Sequence, residues 1–542
     1  MESQRTFLFI GLLLVSFLLF QEWNNDYNQP ANNPSAQTQS NAQTNAGQSD
    51  VPNSDIAEPL ASTSASQQII TVTTDVFAVK IDTLGGDIIE AKLLQHAETH
   101  GSDEPYLLLG QFEGNEYFAQ SGLIGLNGPD ARKEGRPVYQ SEQQSYTLTG
   151  DTLEVPLTFV DAQGVSYTKT YTFHKNRYDV TLDYDIQNNT ANAVQVQLYT
   201  QVKRTVQDKG SLIDQSYLGG AYGTDEVNYE KYSFDDIKDK ELKEPTQGGY
   251  VAFLQHYFVS AWVPAQDQAN TVYMRLPNAN IAQIGIKSEP VNIAPASSAN
   301  FESTYYMGPK DTDALEALHP NLDLAVDYGW LWFISQPLLT LLKFLYSFLG
   351  NWGLAIIAIT IVVKSLLYPL TKAQYTSMAK MRALQPKMQA LKERYGDDRQ
   401  KFGQAMMEMY RKEKVNPMGG CFPLLLQMPI FLALFYVFLE SPELRHAEFG
   451  LWLTDLSSKD PFYVLPVLFG ASMFLMQKLQ PMTVTDPMQQ KMMTWMPVFF
   501  SVFFLWFPSG LVLYWLVSNL ISIAQMLIIY RGMEKKGLKV RG

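Results

Sequence analysis

The sequence predicts an α+β membrane protein: an N-terminal anchor helix, a large all-β domain, then a five-helix transmembrane core interrupted by a helical hairpin. Three observations carry this. Residues up to about 325 are polar, with short apolar runs that alternate with period two, the mark of half-buried strands. From about residue 329 onward, long blocks of Phe, Leu, Met and Trp take over, most of them long enough to cross a bilayer as a helix. The lysines and arginines of that second part gather on alternate loops, as expected where positive charge stays inside.

Bulk composition hides this division. At 542 residues the chain exceeds one ordinary domain. Its mean hydropathy of -0.12 averages two unlike halves. The net charge of -13 comes mainly from the first half, while one loop and the tail of the second half are basic. A basic patch beside membrane segments suits orientation, anionic lipid or RNA. Cys421 is the single cysteine, so no intrachain disulfide forms and an exported domain must rely on its own core.

Residues 1–23 contain the apolar run Phe7–Phe20, preceded by Arg5 and followed by Trp23. No small-x-small site follows Phe20, which predicts an uncleaved transmembrane anchor rather than a removed signal. Residues 24–66 are mostly Asn, Gln, Ser, Ala, Thr and Pro, a disordered tether that cannot bury enough surface to fold. Residues 67–328 alternate repeatedly, most clearly in Tyr167-Thr168-Lys169-Thr170-Tyr171-Thr172-Phe173, with turns such as Leu84-Gly85-Gly86-Asp87 between runs. Many short strands at this spacing predict a large sandwich. Residues 329–350 are apolar but carry Ser335, Gln336, Pro337 and Lys343, which favours an amphipathic helix lying in the membrane interface.

A transmembrane helix follows at 351–370, and four more lie within 418–530, at about 420–439, 462–477, 492–507 and 511–530. Between them, 371–417 is rich in Lys and Arg, and 531–542 forms a basic tail. The loop 440–461 holds only Arg445 and Lys459 against several acids. Residues 371–417 and both termini are therefore expected in the cytoplasm, and the β domain and 440–461 outside. In the cytoplasmic segment Met381, Leu384, Met388 and Leu391 predict one amphipathic helix, broken at Gly396-Asp397-Asp398. Phe402, Met406 and Met409 begin a second. The methionine face of this hairpin either packs the hairpin on itself or forms an adaptable contact surface through Met381, Met388 and Met406.

Lys364 stands inside the apolar stretch Trp352–Leu370. A cation at the centre of a spanning helix costs about 2.5–3.5 kcal/mol on insertion scales, so something must offset it. Three readings stand: a side chain reaching the membrane surface, a cation in a hydrated cavity, or an ion pair with a buried acid. The other spans hold no Asp or Glu in their apolar interiors, which weakens the ion pair and equally a proton-coupled transporter. The spans do carry Thr360, Gln427, Ser472, Thr494, Tyr514, Ser518, Asn519 and Gln525, more polar groups than a dry bundle needs. No catalytic set is recognisable. His96 and His100 lack a third metal ligand, and no GxSxG or Walker-type loop occurs.

Four runs are familiar: YPLTKAQYTSMAKM (Tyr368–Met381), NPMGGCFPLLLQMPIFLALFYVF (Asn416–Phe438), TVTDPMQQKMM (Thr483–Met493) and LWFPSGLVLYWLVSN (Leu505–Asn519). They resemble the YidC family of membrane protein insertases, over essentially the whole chain and in the arrangement of its Gram-negative members. The resemblance implies a periplasmic β-supersandwich similar to sugar-mutarotase folds, with no catalytic role. It implies a five-helix core whose hydrophilic groove opens to cytoplasm and lipid and is closed to the outside. A groove cation would attract acidic residues in the outer segment of an incoming protein, whose apolar helix then slides into lipid along the third and fifth spans. The activity implied is that of a non-enzymatic insertase and chaperone in the bacterial inner membrane.

The implied partners are nascent inner-membrane proteins, the Sec translocon, the phospholipid bilayer, and the ribosome or signal recognition machinery through the hairpin and tail. No DNA, cofactor, metal or catalytic residue is implied. Lys364 takes the groove position where relatives usually carry arginine; it keeps the charge but lacks the planar fork that holds a carboxylate at two points. Thr360, four residues earlier, should share its face. By motif position Gln427 and Tyr514 or Trp515 line or border the groove. The competing reading is a polytopic transporter with a periplasmic ligand-binding domain, against which stand the missing acids and the absence of an evident repeat.

Overall fold

The computed structural model describes residues 51–52, 68–112, 114–132, 135–207, 217–395, 398–413, 415, 422–479 and 487–535. The predicted anchor, most of the tether and most of the basic tail lie outside these. All described residues belong to one compact unit. One correction falls on the tether: Val51 is buried against Ile124 and Tyr199 of the β domain, and its carbonyl accepts from Arg275 Nη2 at 2.9 Å. A lone valine in a polar stretch suffices to pin that point.

Residues 69–309 form the sandwich. An 11-stranded and an 8-stranded sheet share one apolar core. Pairing is antiparallel except where Ile69–Thr73 meets Ser145–Thr147. The period-two reading is borne out: in Val165–His174 every second residue is buried. Tyr167, Tyr171 and Phe173 fill three of those core positions, and Lys169 fills another. Its Nζ donates to the carbonyls of Gly85 (2.9 Å) and Ser121 (3.3 Å) and lies over the rings of Tyr171 and Tyr184. Arg136 donates to the same Ser121 carbonyl at 3.1 Å and pairs with Asp87 and, through Nε at 2.8 Å, with Asp130. Burial pulls the Lys169 ammonium down to about 7, with Asp87 opposing the shift. The β domain thus carries a hydrogen-bonded polar centre that alternation alone does not reveal.

The helices are α1 (Phe234–Asp239), α2 (Thr312–Leu318), α3 (Trp332–Leu349), α4 (Trp352–Leu366), α5 (Tyr368–Ala383), α6 (Gln385–Tyr395), α7 (Arg399–Lys412), α8 (Phe422–Glu440), α9 (Val464–Leu479), α10 (Pro487–Phe503) and α11 (Ser509–Glu534). Among the described residues α3 and α11 are long and apolar enough to cross a membrane, and the bent pair α4–α5 adds a third span if taken as one. The apolar parts of the others are shorter: Leu426–Glu440, Val464–Leu479 and Thr494–Trp506.

Although α3 passes that test, its neighbours place one end beside the last turns of α8 and the other beside the loop 440–461. Gly329, just before it, lies under Tyr436 near the end of α8. Asn351, just after it, donates to the carbonyls of Glu448 (3.2 Å) and Phe449 (3.1 Å). Lys343, within it, pairs with Glu443 at 2.9 Å and Asp313 at 3.9 Å.

The expected single span 351–370 is corrected. The helix stops at Leu366 and the chain bends by 64° into α5. Pro369 is the cause: it has no N–H for the Ser365 carbonyl and disfavours helical geometry at Tyr368. The basic segment therefore begins its own helix at Tyr368, and Tyr375 and Ala379 pack on Met526, Ile529, Tyr530 and Met533 of α11. The predicted helix through Met381–Leu391 also breaks at Leu384, just before Pro386. Gly396 and Asp397 of the predicted turn lie outside the described residues.

The β domain meets the loop 440–461 through side chains of opposite charge and through rings. Lys310 and Glu440, both buried, lie 3.8 Å apart. Arg445 stacks over Tyr106 (5.0 Å) and Phe258 (5.4 Å) and donates to the Glu98 carbonyl at 3.1 Å. His96 packs edge-on against Phe258 at 5.5 Å. Burial, then the Arg445 and His446 charges, hold its imidazole down to about 4. A histidine depressed from 6.5 favours folding while neutral. Its contribution is full above about pH 6.5 and is lost as pH falls toward 4, at most about 3 kcal/mol. Thermal unfolding in detergent should therefore be flat above pH 6.5 from this group and decline below it. His96→Phe should flatten that decline; an unchanged acid slope would show that His96 is not its source.

Candidate functional site

Lys364 lies in the last turn of α4 and is 7% exposed. The α4–α5 bend turns the chain away just beyond it. Its Nζ donates to Ser522 Oγ of α11 at 3.0 Å. Ser522 in turn donates to the Ser518 carbonyl at 2.8 Å, so the hydroxyl proton is committed and a lone pair faces the ammonium. Gln525 Nε2 donates to the Lys364 carbonyl at 3.1 Å. Ser518, Ser522 and Gln525 follow at spacings of four and three, so they share one face of α11. On the neighbouring turn Asn519 Nδ2 donates to Ser472 Oγ of α9 at 3.2 Å, and Ser472 donates to the Phe469 carbonyl at 2.7 Å. The result is a polar seam between α4, α9 and α11. Among the described residues no carboxylate lies within 4.0 Å of Lys364. Its side chain is buried against a serine rather than extended to a surface.

Thr360 lies one turn before Lys364 and is fully buried, its Oγ1 donating back to the Ile356 carbonyl at 2.6 Å. Its hydroxyl is spent on its own helix. Gln427 is half-buried on α8. Tyr514 and Trp515 do not join the seam's hydrogen bonds. Both are buried in an aromatic block that lies nearer the start of α11. Trp515 stacks on Phe431 (5.7 Å) and packs against Phe504 (4.0 Å), Phe507 (5.9 Å) and Phe469 (6.1 Å). Tyr514 packs on Phe438 (5.4 Å) and Phe431 (6.3 Å). Above this block the 440–461 loop folds over the start of α11. Ser509 N donates to Ser458 O at 2.7 Å, Gly510 N to Leu456 O at 2.9 Å, and Ser509 Oγ to Asp455 O at 2.8 Å. Along α11 the order is loop cap, aromatic block, polar seam, and then the Tyr530 cluster with α5.

In the hairpin, Met388 is buried with Leu384, Tyr410 and Val415, and Met381, Met406 and Met409 pack against them. Tyr410 OH donates to Met388 Sδ at 3.2 Å. Of the two readings open from the sequence, the packing is that of a hairpin closed on itself. The exposed methionine is Met407, at 60%. Ser522 is not marked by residue type in the sequence, but its spacing marks it, because it falls between Ser518 and Gln525 on one helical face.

Two family matches tile the described chain. The YidC periplasmic domain family matches residues 69–341, and the 60Kd inner membrane protein family matches residues 344–536. A membrane protein insertase YidC of Pseudoalteromonas translucida is 73% identical over 544 residues, covering 100% of both chains. The chain belongs to the YidC family. A YidC of Shewanella piezotolerans is 56% identical over 546 residues, covering 99% of this chain and 100% of that one. A crystal structure of an active YidC insertase with its first transmembrane domain resolved aligns at TM-score 0.37 and 19% identity, over 86% of this chain and 93% of that one. The family assignment fixes the β domain as the YidC periplasmic domain and the helical part as an inner-membrane protein. Within that YidC frame, the cation beside the seam is Lys364.

Proposed function

We propose that this protein inserts nascent inner-membrane proteins, and that the seam beside Lys364 receives their polar outer segments. The observation that carries this is the state of Lys364: an ammonium buried among helices, held by a neutral serine hydroxyl. A hydroxyl is a weak resting partner for such a charge, and an entering carboxylate is a stronger one. The aromatic block and the 440–461 cap close one end of the seam. A polar segment therefore enters from the other end, and burial of its apolar helix in lipid supplies the driving force. The transporter reading lacks support, since the relatives along the whole chain are insertases.

The finer topology belongs to the same proposal. Six spans with both termini in the cytoplasm fit the distribution of lysine and arginine. An interfacial α3 fits the contacts at its two ends and at Lys343. The Sec translocon and the ribosome or signal recognition machinery are partners expected from the family, the latter through the hairpin and basic tail. Because the hairpin methionines face inward, such a contact would use its charged exterior and Met407.

Photo-cross-linking tests the path. A cross-linker at Ser518 should capture the polar segment of an arrested nascent chain, and one at exposed Ile528 should not. Capture from Ile528 alone would overturn the seam as the route.

A further inference from the structure

We propose that Ser522 is a positioning residue that holds Lys364 in a resting state and sets how strongly the site prefers acidic over neutral segments. The inference rests on the reading of Lys364 as the receiving cation. Four observations support it. Ser522 Oγ is the acceptor for Lys364 Nζ at 3.0 Å, and its own proton goes to the Ser518 carbonyl at 2.8 Å. The serine can therefore accept from the ammonium but cannot donate to an arriving carboxylate without giving up that bond. The ammonium has three N–H donors. Among the described residues one is used, on Ser522. Gln525 fixes the Lys364 backbone from the same face of α11, gripping its carbonyl at 3.1 Å where Pro369 ends the helix. Finally, Gln525 Oε1 is buried with no hydrogen-bond partner. This bare acceptor sits on the same side chain that grips the Lys364 backbone, and it can take another donor or a water.

In physical terms Ser522 lowers the cost of burying the charge without binding it tightly. A hydrogen bond between a neutral hydroxyl and an ammonium is weaker than the charge-assisted pair an incoming carboxylate would make. A substrate carboxylate gains more than a neutral amide from the two N–H groups that Ser522 leaves open. The hydroxyl contributes to the discrimination by holding the ammonium at the seam, where an entering carboxylate meets it.

The test compares two versions of one short spanning substrate, with Asp or Asn in the outer segment, inserted by reconstituted full-length protein. The readout is the ratio of protease-protected Asp to Asn substrate. The wild type should favour Asp. Ser522→Ala releases the ammonium from the seam, so the ratio should fall roughly threefold to tenfold, the worth of one ordinary hydrogen bond. Ser522→Thr keeps the hydroxyl and should hold the wild-type ratio. Ser522→Asp installs a permanent carboxylate, and the ratio should fall to near one while insertion of the Asn substrate persists. Should the Asp variant fail to accumulate, the Ala and Thr variants decide alone. A ratio that is unchanged or higher in Ser522→Ala overturns the role of Ser522. A wild-type ratio of one would instead overturn the reading of Lys364 itself.

Discussion

Lys364→Glu is expected to cut insertion of a substrate with an acidic outer segment at least about tenfold, while Lys364→Arg retains most of it and Lys364→Ala falls between. The reason is the sign of the charge in a site with little solvent. Two unit charges about 4 Å apart interact by about 4 kcal/mol at an effective dielectric constant of 20. Reversing one of them turns that attraction into repulsion. Arginine restores the charge and adds the planar fork, so it should bind a carboxylate at least as well, provided its longer head fits beside Ser522. Alanine removes the charge but adds no repulsion, and burial of the substrate helix in lipid still drives insertion. Protected fractions in reconstituted vesicles, at matched protein levels, check all three. Wild-type insertion by Lys364→Glu would mean that the ammonium is a structural feature rather than a receiving charge.

Trp515→Ala is expected to have the largest effect on stability and to open the seam at its capped end. Trp515 touches rings from three other segments: Phe431 on α8, Phe469 on α9, and Phe504 and Phe507 just before α11. Truncating a buried tryptophan costs about 3–5 kcal/mol, from lost apolar contact and the cavity left behind. The same cavity would join the polar seam to the 440–461 cap, so vesicles carrying the variant should leak ions that wild-type vesicles retain. Trp515→Phe should restore the seal and most of the stability. Decay of an imposed potassium diffusion potential reads the leak. A destabilised variant with tight vesicles would separate the packing role from the sealing role and leave only the first.

The sandwich was readable because strand alternation is a local signal, and it places Tyr167, Tyr171 and Phe173 in the core residue by residue. Lys169 in the same row was not, because its partners, Gly85 and Ser121, lie 84 and 48 positions away. Lys364 announced itself by its cost, but Ser522 did not, since a serine in a span is ordinary until the lysine facing it is known. Pro369 and Pro386 were in plain view and mark the breaks at Leu367 and Leu384. The apolar periodicity running through them concealed those breaks. Tyr514 and Trp515 were expected at the groove by motif position. The rings that draw them into a block come from separate helices, which no local pattern encodes. The hairpin methionines illustrate the limit from the other side: an amphipathic face shows that something covers it, and here Tyr410 and Val415 of the same hairpin do so.

If the seam at Lys364 is the route, this chain alone moves a polar segment into and through a membrane. The most direct measurement is insertion of a short single-spanning protein with an acidic outer segment into protein-free liposomes, with and without the purified full-length protein. Protease-protected substrate should rise several-fold when the protein is present, and Lys364→Glu should remove most of the gain. Equal protection with and without the protein would contradict the account.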